Sequence, residues 1–178
     1  MRPAVRLSRR TGGGFQMEGV STTPIEGVPD HAGFVLKQRL VLELRRLGHE
    51  VLDFGTHAAE PAVDYPDFVI PAAEAVATGV AERGIVLGGS GIGESIAANK
   101  VSGIRASVVT SAETARLTRL HNDSNVLALG GRTNPDHEDV VVWLRVWLDT
   151  AFEGGRHIPR LDKIRAYEQS HHAPGRNP

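Results

Sequence analysis

A glycine-rich turn carries the residue types best suited to chemistry in this chain. Residues 88–94 read Gly-Gly-Ser-Gly-Ile-Gly-Glu, follow the apolar run 85–87 and lead into a helix-like segment. An apolar strand that ends in such a turn presents several backbone N–H groups to an anion at the start of the next helix. Ser90 adds a hydroxyl beside that nest of N–H groups, and Glu94 adds a carboxylate. An anion site with a candidate base next to it predicts enolate chemistry.

The same turn can be compared with two nucleotide-binding motifs. A dinucleotide fingerprint has G-x-G-x-x-G at the first βα turn, whereas Gly89, Gly91 and Gly93 alternate after a later strand. The phosphate loop of nucleoside triphosphatases requires Gly-Lys-Ser/Thr, which does not follow here. Nucleotide binding is therefore the weaker interpretation of this turn.

Polar residues near the predicted helix ends have both a structural and a functional interpretation. Asp30, followed by His31, is suited to cap a helix N-terminus, and His121, followed by Asn122, is suited to a helix C-terminus. Glu94 is equally suited to a first helical turn, where the helix dipole favours an acid. The residue types alone leave both interpretations open.

Two arginines near the C-terminus have the spacing of a phosphate-binding pair. Arg156 and Arg160 are four residues apart, which puts both guanidinium groups on one face of a helix. Pro159, between them, is tolerated in the first turn of a helix. A solvated basic face is the alternative interpretation.

Length and composition predict a single globular domain. The chain has 178 residues, of which 40% are hydrophobic and 23% charged. Its formal net charge of −1 gives no general attraction to nucleic acid or to a membrane, and no apolar run approaches the roughly 20 residues that span a bilayer. It has no cysteine, which excludes disulfides and thiolate chemistry. We therefore expect a cytoplasmic protein whose partner is a small molecule.

The two ends of the chain differ from its middle. Residues 1–20 contain several arginines and a run of three glycines, without the apolar segment of a signal peptide. They are predicted to form a disordered extension, and residues 170–178 a disordered tail. The domain is therefore expected to occupy residues 21–169.

Strand-like and helix-like segments alternate along this domain. Strands are predicted at 50–54, 85–87, 104–109 and 125–129, with helices between them and a last helix at 159–169. This alternation predicts an α/β fold: a Rossmann-like, doubly wound parallel five-stranded sheet with helices on both faces and a C-terminal helical extension.

Ligands in such folds bind beyond the carboxyl ends of the strands. We expect the candidate residues to meet at that edge in one shared site: Asp30, His31, residues 88–94 and Arg132, with His121 and Asn122 nearby.

The first strand is the least regular predicted element. It should lie within residues 22–29, which contain Pro24, Gly27 and Pro29. Proline cannot donate to a β-ladder and is unusual in a central strand. The segment therefore forms either a short, distorted strand or no strand.

The order of these motifs resembles that of the type B ribose-5-phosphate isomerases and the related galactose-6-phosphate isomerase subunits. The matching segments are 30–34 (DHAGF), 64–66 (DYP), 89–93 (GSGIG), 96–100 (IAANK), 103–106 (GIRA), 121–122 (HN), 130–132 (GGR) and 155–157 (GRH). The resemblance covers about residues 30–168. It implies reversible conversion of an aldose phosphate to a ketose phosphate, foremost ribose 5-phosphate to ribulose 5-phosphate, through a cis-enediolate and without a metal or organic cofactor.

The resemblance also implies how the proton is moved. Some members have a cysteine at the position of Gly88, whereas others have glycine there and a glutamate at the position of Glu94. This chain follows the second pattern, so Glu94 would carry the proton between C2 and C1. Ser90 would assist proton movement between the two oxygens. The N–H groups around the alternating glycines would stabilise the enediolate: Gly89, Gly91 and Gly93.

The other candidate residues would open or bind the sugar. By resemblance, His121 and Asp30 open the furanose ring, and Asn122 holds a hydroxyl. Four residues would bind the phosphate: His31, Arg132, Arg156 and Arg160.

The resemblance implies a homodimer or a tetramer in which two subunits share each site, with the C-terminal arginines serving the neighbouring chain. Trp143 and Trp147 belong either to that interface or to the core. Two functional alternatives remain: a non-catalytic sugar-phosphate-binding subunit or regulator, and an isomerase of a hexose or tetrose phosphate.

Overall fold

The computed structural model describes residues 20–23, 31–55, 64–134 and 137–171. The strands are β1 (Val20–Thr23), β2 (Val51–Asp53), β3 (Arg83–Gly88), β4 (Ala106–Val108) and β5 (Val126–Gly130). The helices are α1 (His31–Arg46), α2 (Pro66–Ala77), α3 (Ile92–Ala98), α4 (Ala112–Asn122), α5 (His137–Asp149) and α6 (Ile158–His171). A 3-10 turn, Gly155–His157, leads into α6.

The five strands form one parallel sheet in the order β2-β1-β3-β5-β4. The register of β3 and β5 runs from Gly84 opposite Val126 to Gly88 opposite Gly130. The carboxyl ends of these two strands therefore lie side by side. The predicted parallel α/β fold is confirmed.

The sheet is covered on both faces because its central strands are apolar on both faces. Ile85 and Leu87 pack in a cluster with α1, α4 and α5, whereas Val86 packs in a second cluster with α2 and α3. Successive strand residues point to opposite faces, so a continuous apolar run serves two cores. Every residue of β3 and β5 is buried.

The first strand forms, but earlier and shorter than the segment that was expected to hold it. β1 covers four residues, Val20–Thr23, and pairs with both β2 and β3. It ends one residue before Pro24, in keeping with the inability of proline to donate to a ladder. Residues 24–30, including Asp30, lie outside the described residues.

Both ends of the predicted domain can be compared with these elements. β1 includes Val20, and α6 continues through Ser170 to His171, where the tail was expected to begin. The limits of the domain otherwise stay a prediction. Among the described residues, no helix is both long enough and apolar enough to cross a membrane.

The tryptophans of α5 belong to the core. Trp147 is fully buried, and its indole Nε1 donates to the Ser124 hydroxyl over 2.7 Å. Trp143 is partly buried and packs against the same cluster.

Candidate active site

The turn between β3 and α3 is held open as a backbone nest. Gly91 precedes α3 with a left-handed φ of +78°, and a Cβ atom there would lie 3.0 Å from the carbonyl carbon of Leu129. Only glycine meets both conditions without strain. Two hydrogen bonds fix the turn to the end of β5: Gly131 N–H donates to the Gly88 carbonyl over 2.7 Å, and Arg132 N–H donates to the Gly89 carbonyl over 3.0 Å.

The carboxylate of Glu94 lies over the last residue of β3. Glu94 is in the first turn of α3 and only 4% exposed. A Cβ atom built on Gly88 would overlap the carboxylate oxygen Oε1 and the carbon Cδ of Glu94. Its carboxylate makes no hydrogen bond or ion pair with any other described residue. A buried carboxylate left without a partner is costly, which favours a functional role over a purely structural one.

Three other side chains surround the nest. The Ser90 hydroxyl accepts from the Ile92 N–H over 3.3 Å, so it lies at the start of α3. The guanidinium group of Arg132 lies against Gly89, where a Cβ atom would overlap it. The ring of Tyr65 lies 3.0 Å from the position of a Cβ atom on Gly93. Tyr65 was part of a matched segment, but sequence reasoning gave it no role.

A second cluster forms around the end of α4, which we call the histidine cluster: His121, Glu153, Arg156, His157 and Arg160. The rings of His121 and His157 stack, with centroids 4.4 Å apart. Arg156 Nε lies 3.5 Å from His157 Nε2, and Arg160 Nη1 lies 3.4 Å from His157 Nδ1. The predicted pair of arginines therefore contacts His157, whose ring stacks on that of the predicted His121. His157 was part of the matched segment 155–157, but neither it nor Glu153 was given a role, so their contacts with these residues were missed.

Burial lowers the pKa of His157, and the neighbouring His121 and Arg156 lower it further. Glu153 acts in the opposite direction. His157 is therefore neutral at neutral pH, because a free imidazole already titrates near 6.5.

The nest and the histidine cluster lie at opposite edges of the sheet. α4 runs back from the carboxyl end of β4 to the start of β5, so His121 and Asn122 reach the amino edge. There, Arg105 Nε donates to the Asn122 carbonyl over 2.9 Å, and the Gly84 N–H donates to the Asn125 carbonyl over 2.9 Å. The expectation that His121 and Asn122 lie near the nest within one chain is wrong. A helix that connects parallel strands runs antiparallel to them, so its last residues lie far from their carboxyl ends.

The histidine cluster also offers ligand atoms for a metal ion. One atom each from His121, Glu153 and His157 lies within 4.8 Å of the others. The guanidinium groups of Arg156 and Arg160 lie beside the same imidazole, however, and a cation there would meet two like charges. The donor set therefore fits a metal poorly.

Two predicted site residues stand apart from this description. Asp30 lies outside the described residues, and His31 is described only as the first residue of α1. Their proposed roles remain predictions.

The fold matches solved structures of ribose-5-phosphate isomerases. The sequence profile of the Ribose/Galactose Isomerase family matches residues 28–164. The chain belongs to this family, and it is an aldose–ketose isomerase.

Individual relatives agree with this assignment. Ribose-5-phosphate isomerase B of Escherichia coli is 46% identical over 140 residues, which cover 79% of this chain and 93% of the relative. The protein of that name from Mycobacterium tuberculosis is 41% identical over 146 residues, covering 82% and 90%. A solved structure of Clostridium thermocellum ribose-5-phosphate isomerase B aligns with a TM-score of 0.79 at 45% identity, covering 86% of this chain and 99% of that one. The alternative of a non-catalytic binding subunit is thereby set aside.

Proposed function

We propose that this enzyme interconverts ribose 5-phosphate and ribulose 5-phosphate through a cis-enediolate, with Glu94 as the base. The observation that carries the proposal is the Glu94 carboxylate, which is 4% exposed and lies over Gly88 beside the nest. The names of the relatives support ribose 5-phosphate as the substrate.

The chemistry follows from these positions. Glu94 removes the proton from C2 of the open-chain aldose and returns it to C1, which leaves the carbonyl at C2. Negative charge develops on the oxygen during this transfer, where the N–H groups of the nest stabilise it. Ser90 relays the hydroxyl proton between O2 and O1. Because no described side chain forms a hydrogen bond or ion pair with the Glu94 carboxylate, its oxygens are available to the substrate.

Glycine at position 88 makes room for this base. The carboxylate of Glu94 fills the space that a side chain on residue 88 would take. This geometry supports the interpretation that a glutamate acts here where other members use a cysteine at the equivalent position of Gly88.

We further propose that two copies of the chain form each site. The carboxyl and amino edges of β3 are separated by the length from Gly84 to Gly88, about 13 Å at 3.3 Å per residue. Ribose 5-phosphate spans roughly 8 Å at about 1.5 Å per bond, so it cannot reach from the nest to the histidine cluster of the same chain. In a homodimer, His121, Asn122, Arg156 and Arg160 of one copy face the nest of the other. Arg132, beside the nest, binds the phosphate together with the partner's arginines.

The proposal is tested by replacing Glu94 with glutamine. We expect Glu94→Gln to keep the fold and the binding of inorganic phosphate, and to lose roughly 10³-fold in turnover, because the amide cannot accept the C2 proton. A coupled assay that detects ribulose 5-phosphate measures the turnover of each variant. Glu74→Gln, which alters an exposed carboxylate of α2, is the matched control and should be unaffected.

The length of the sugar is tested separately. A panel of aldose phosphates with four to six carbons should show the highest kcat/KM for ribose 5-phosphate. A higher kcat/KM for the tetrose or hexose phosphate would reassign the substrate.

Near-normal turnover of Glu94→Gln would instead reject Glu94 as the base.

A further inference from the structure

The carboxylate of Glu153 lies beside two stacked imidazoles. The rings of His121 and His157 are 4.4 Å apart and inclined by only 14°. Glu153 Oε2 lies 3.4 Å from His157 Nε2 and 3.9 Å from His121 Nε2. Both rings therefore turn the same nitrogen toward one carboxylate oxygen.

Hydrogen bonds fix the backbone of Glu153 and of His157. The Glu153 N–H donates to the Leu120 carbonyl over 3.1 Å, one residue before His121. His157 is only 5% exposed, and its N–H donates to the Gly154 carbonyl over 3.1 Å. The backbone of Glu153 is thus fixed to the last turn of α4, whereas its side chain is 56% exposed. The ring of His157 meets α4 through its stack on His121. The His121 side chain is 35% exposed; its ring stacks on His157, and its Nε2 lies 3.9 Å from the Glu153 carboxylate.

The charged groups around His121 differ from those around His157. His157 is neutral at neutral pH and presents an uncharged face to His121. Arg156 and Arg160 approach the ring nitrogens of His157. On α4, Glu113 also faces His121, but its carboxylate is paired with Arg116 over 2.8 Å. The Glu153 carboxylate, which also interacts with Arg116, lies 3.9 Å from His121 Nε2 and is the carboxylate that contacts this ring among the described residues.

We propose that Glu153 and His157 are positioning residues for His121, holding its imidazole in the orientation from which it gives a proton to the ring oxygen of the sugar. This inference rests on the proposed function. Neither residue reacts with the sugar in this account. The stack fixes the plane of the ring, and the carboxylate fixes its rotation.

Ring opening is the step that needs this positioning. The bond from C1 to the ring oxygen breaks, the ring oxygen takes the proton of His121, and the anomeric hydroxyl loses its proton to a base as the C1 carbonyl forms. A misplacement of about 1 Å in such a transfer costs up to roughly 10²-fold. The later transfer from C2 to C1 uses Glu94 and does not involve His121.

The test compares two reactions of Glu153→Gln. Turnover of ribose 5-phosphate requires ring opening. Exchange of the C1 hydrogen of ribulose 5-phosphate with deuterium oxide does not, because its 5-hydroxyl carries the phosphate and cannot close a five-membered ring. We expect turnover to fall roughly 10- to 100-fold and exchange to stay within about two-fold of wild type. His121→Ala should show the same split with a larger loss.

Three further variants complete the design. Glu138→Gln removes an exposed carboxylate paired with Arg39 and should change neither reaction. His157→Phe keeps the stacked face and should retain more turnover than His157→Ala, with exchange preserved in both. Equal losses in both reactions of Glu153→Gln, or no loss in either, would overturn the inference. Absence of both reactions in the wild-type enzyme would instead overturn the proposed function.

Discussion

At the scale of single residues, positions 88 and 94 share one volume. The Glu94 carboxylate occupies the place of a side chain on Gly88, so a larger residue at 88 and a carboxylate at this point exclude each other. The glycine is required for close approach, because the β3 backbone at this position lies within the extended strand. The position of the Glu94 carboxylate therefore depends on the absence of a Cβ atom at residue 88, six residues earlier.

Gly88→Ala is expected to lower kcat roughly 10²-fold or more while the enzyme stays folded. The added methyl group overlaps the carboxylate of Glu94 and forces it out of the position over the nest. Steady-state kinetics with ribose 5-phosphate measure the effect, and circular dichroism checks the fold.

A double-mutant cycle separates this cause from general damage. If both changes act on one carboxylate, Gly88→Ala adds little to the loss already caused by Glu94→Gln. Full additivity of the two losses would show that alanine acts by another route.

At the scale of elements, the helices on one face of the sheet are joined by a buried carboxylate. Glu43 of α1 accepts from Arg46 over 2.9 Å and from Arg145 of α5 over 2.7 Å. These hydrogen bonds lower the pKa of Glu43 to about 2, mainly through Arg46 and then Arg145. The folded pKa lies below the unfolded value of 4.5, so the stabilisation is complete above about pH 4.5 and is lost as the pH falls toward 2.

Glu43→Gln is therefore expected to lower the free energy of unfolding by about 2 kcal/mol at pH 7, as the loss of charged hydrogen bonds from a buried group does. The difference from wild type should shrink steadily between pH 4.5 and pH 2. Urea unfolding at pH 7 and pH 3 measures it. Glu113→Gln, which breaks an exposed pair with Arg116, should have a much smaller effect, and a constant difference for Glu43→Gln across this range would contradict the account.

At the scale of the whole molecule, the parallel sheet places Glu94 and His121 at opposite edges. Every helix that follows a strand returns to the amino edge, and the chain after α5 begins there. The C-terminal arginines therefore gather with His121 and not with Glu94. In the homodimer that we propose, the nest and the histidine cluster are half-sites, and a second copy brings unlike halves together.

Mixing two inactive variants tests this arrangement. Glu94→Gln and His121→Ala each damage a different half-site, so a hybrid dimer contains one site with both changes and one intact site. With random exchange of subunits, half of the dimers are hybrids, and activity should return to about a quarter of the wild-type value. The measurement is ribose 5-phosphate turnover after joint refolding.

The control is a mixture of Glu94→Gln with Ser90→Ala. Both changes lie in the nest half-site, so hybrid dimers should contain no intact site. Activity that does not rise in the first mixture would show that each chain forms its site alone.

The sequence by itself predicted the parallel α/β fold and the nest, because both depend on local patterns. Continuous apolar runs such as 85–87 predict buried strands, and the alternating glycines that follow predict a turn with free backbone groups. Glu94 was found for the same reason, since it lies within one turn of helix of that loop. The first strand was harder to predict, because its prolines fall just after the four residues that pair.

Only the tertiary structure decided how the remaining candidates are grouped. His121 and Glu94 carried similar signals in the sequence, yet the direction of α4 puts them at opposite edges of the sheet. Glu153 and His157 became visible only when the chain after α5 packed against the end of α4. Local patterns determine which segments become strands and helices, whereas contacts between distant segments depend on the path that each connection takes across the sheet.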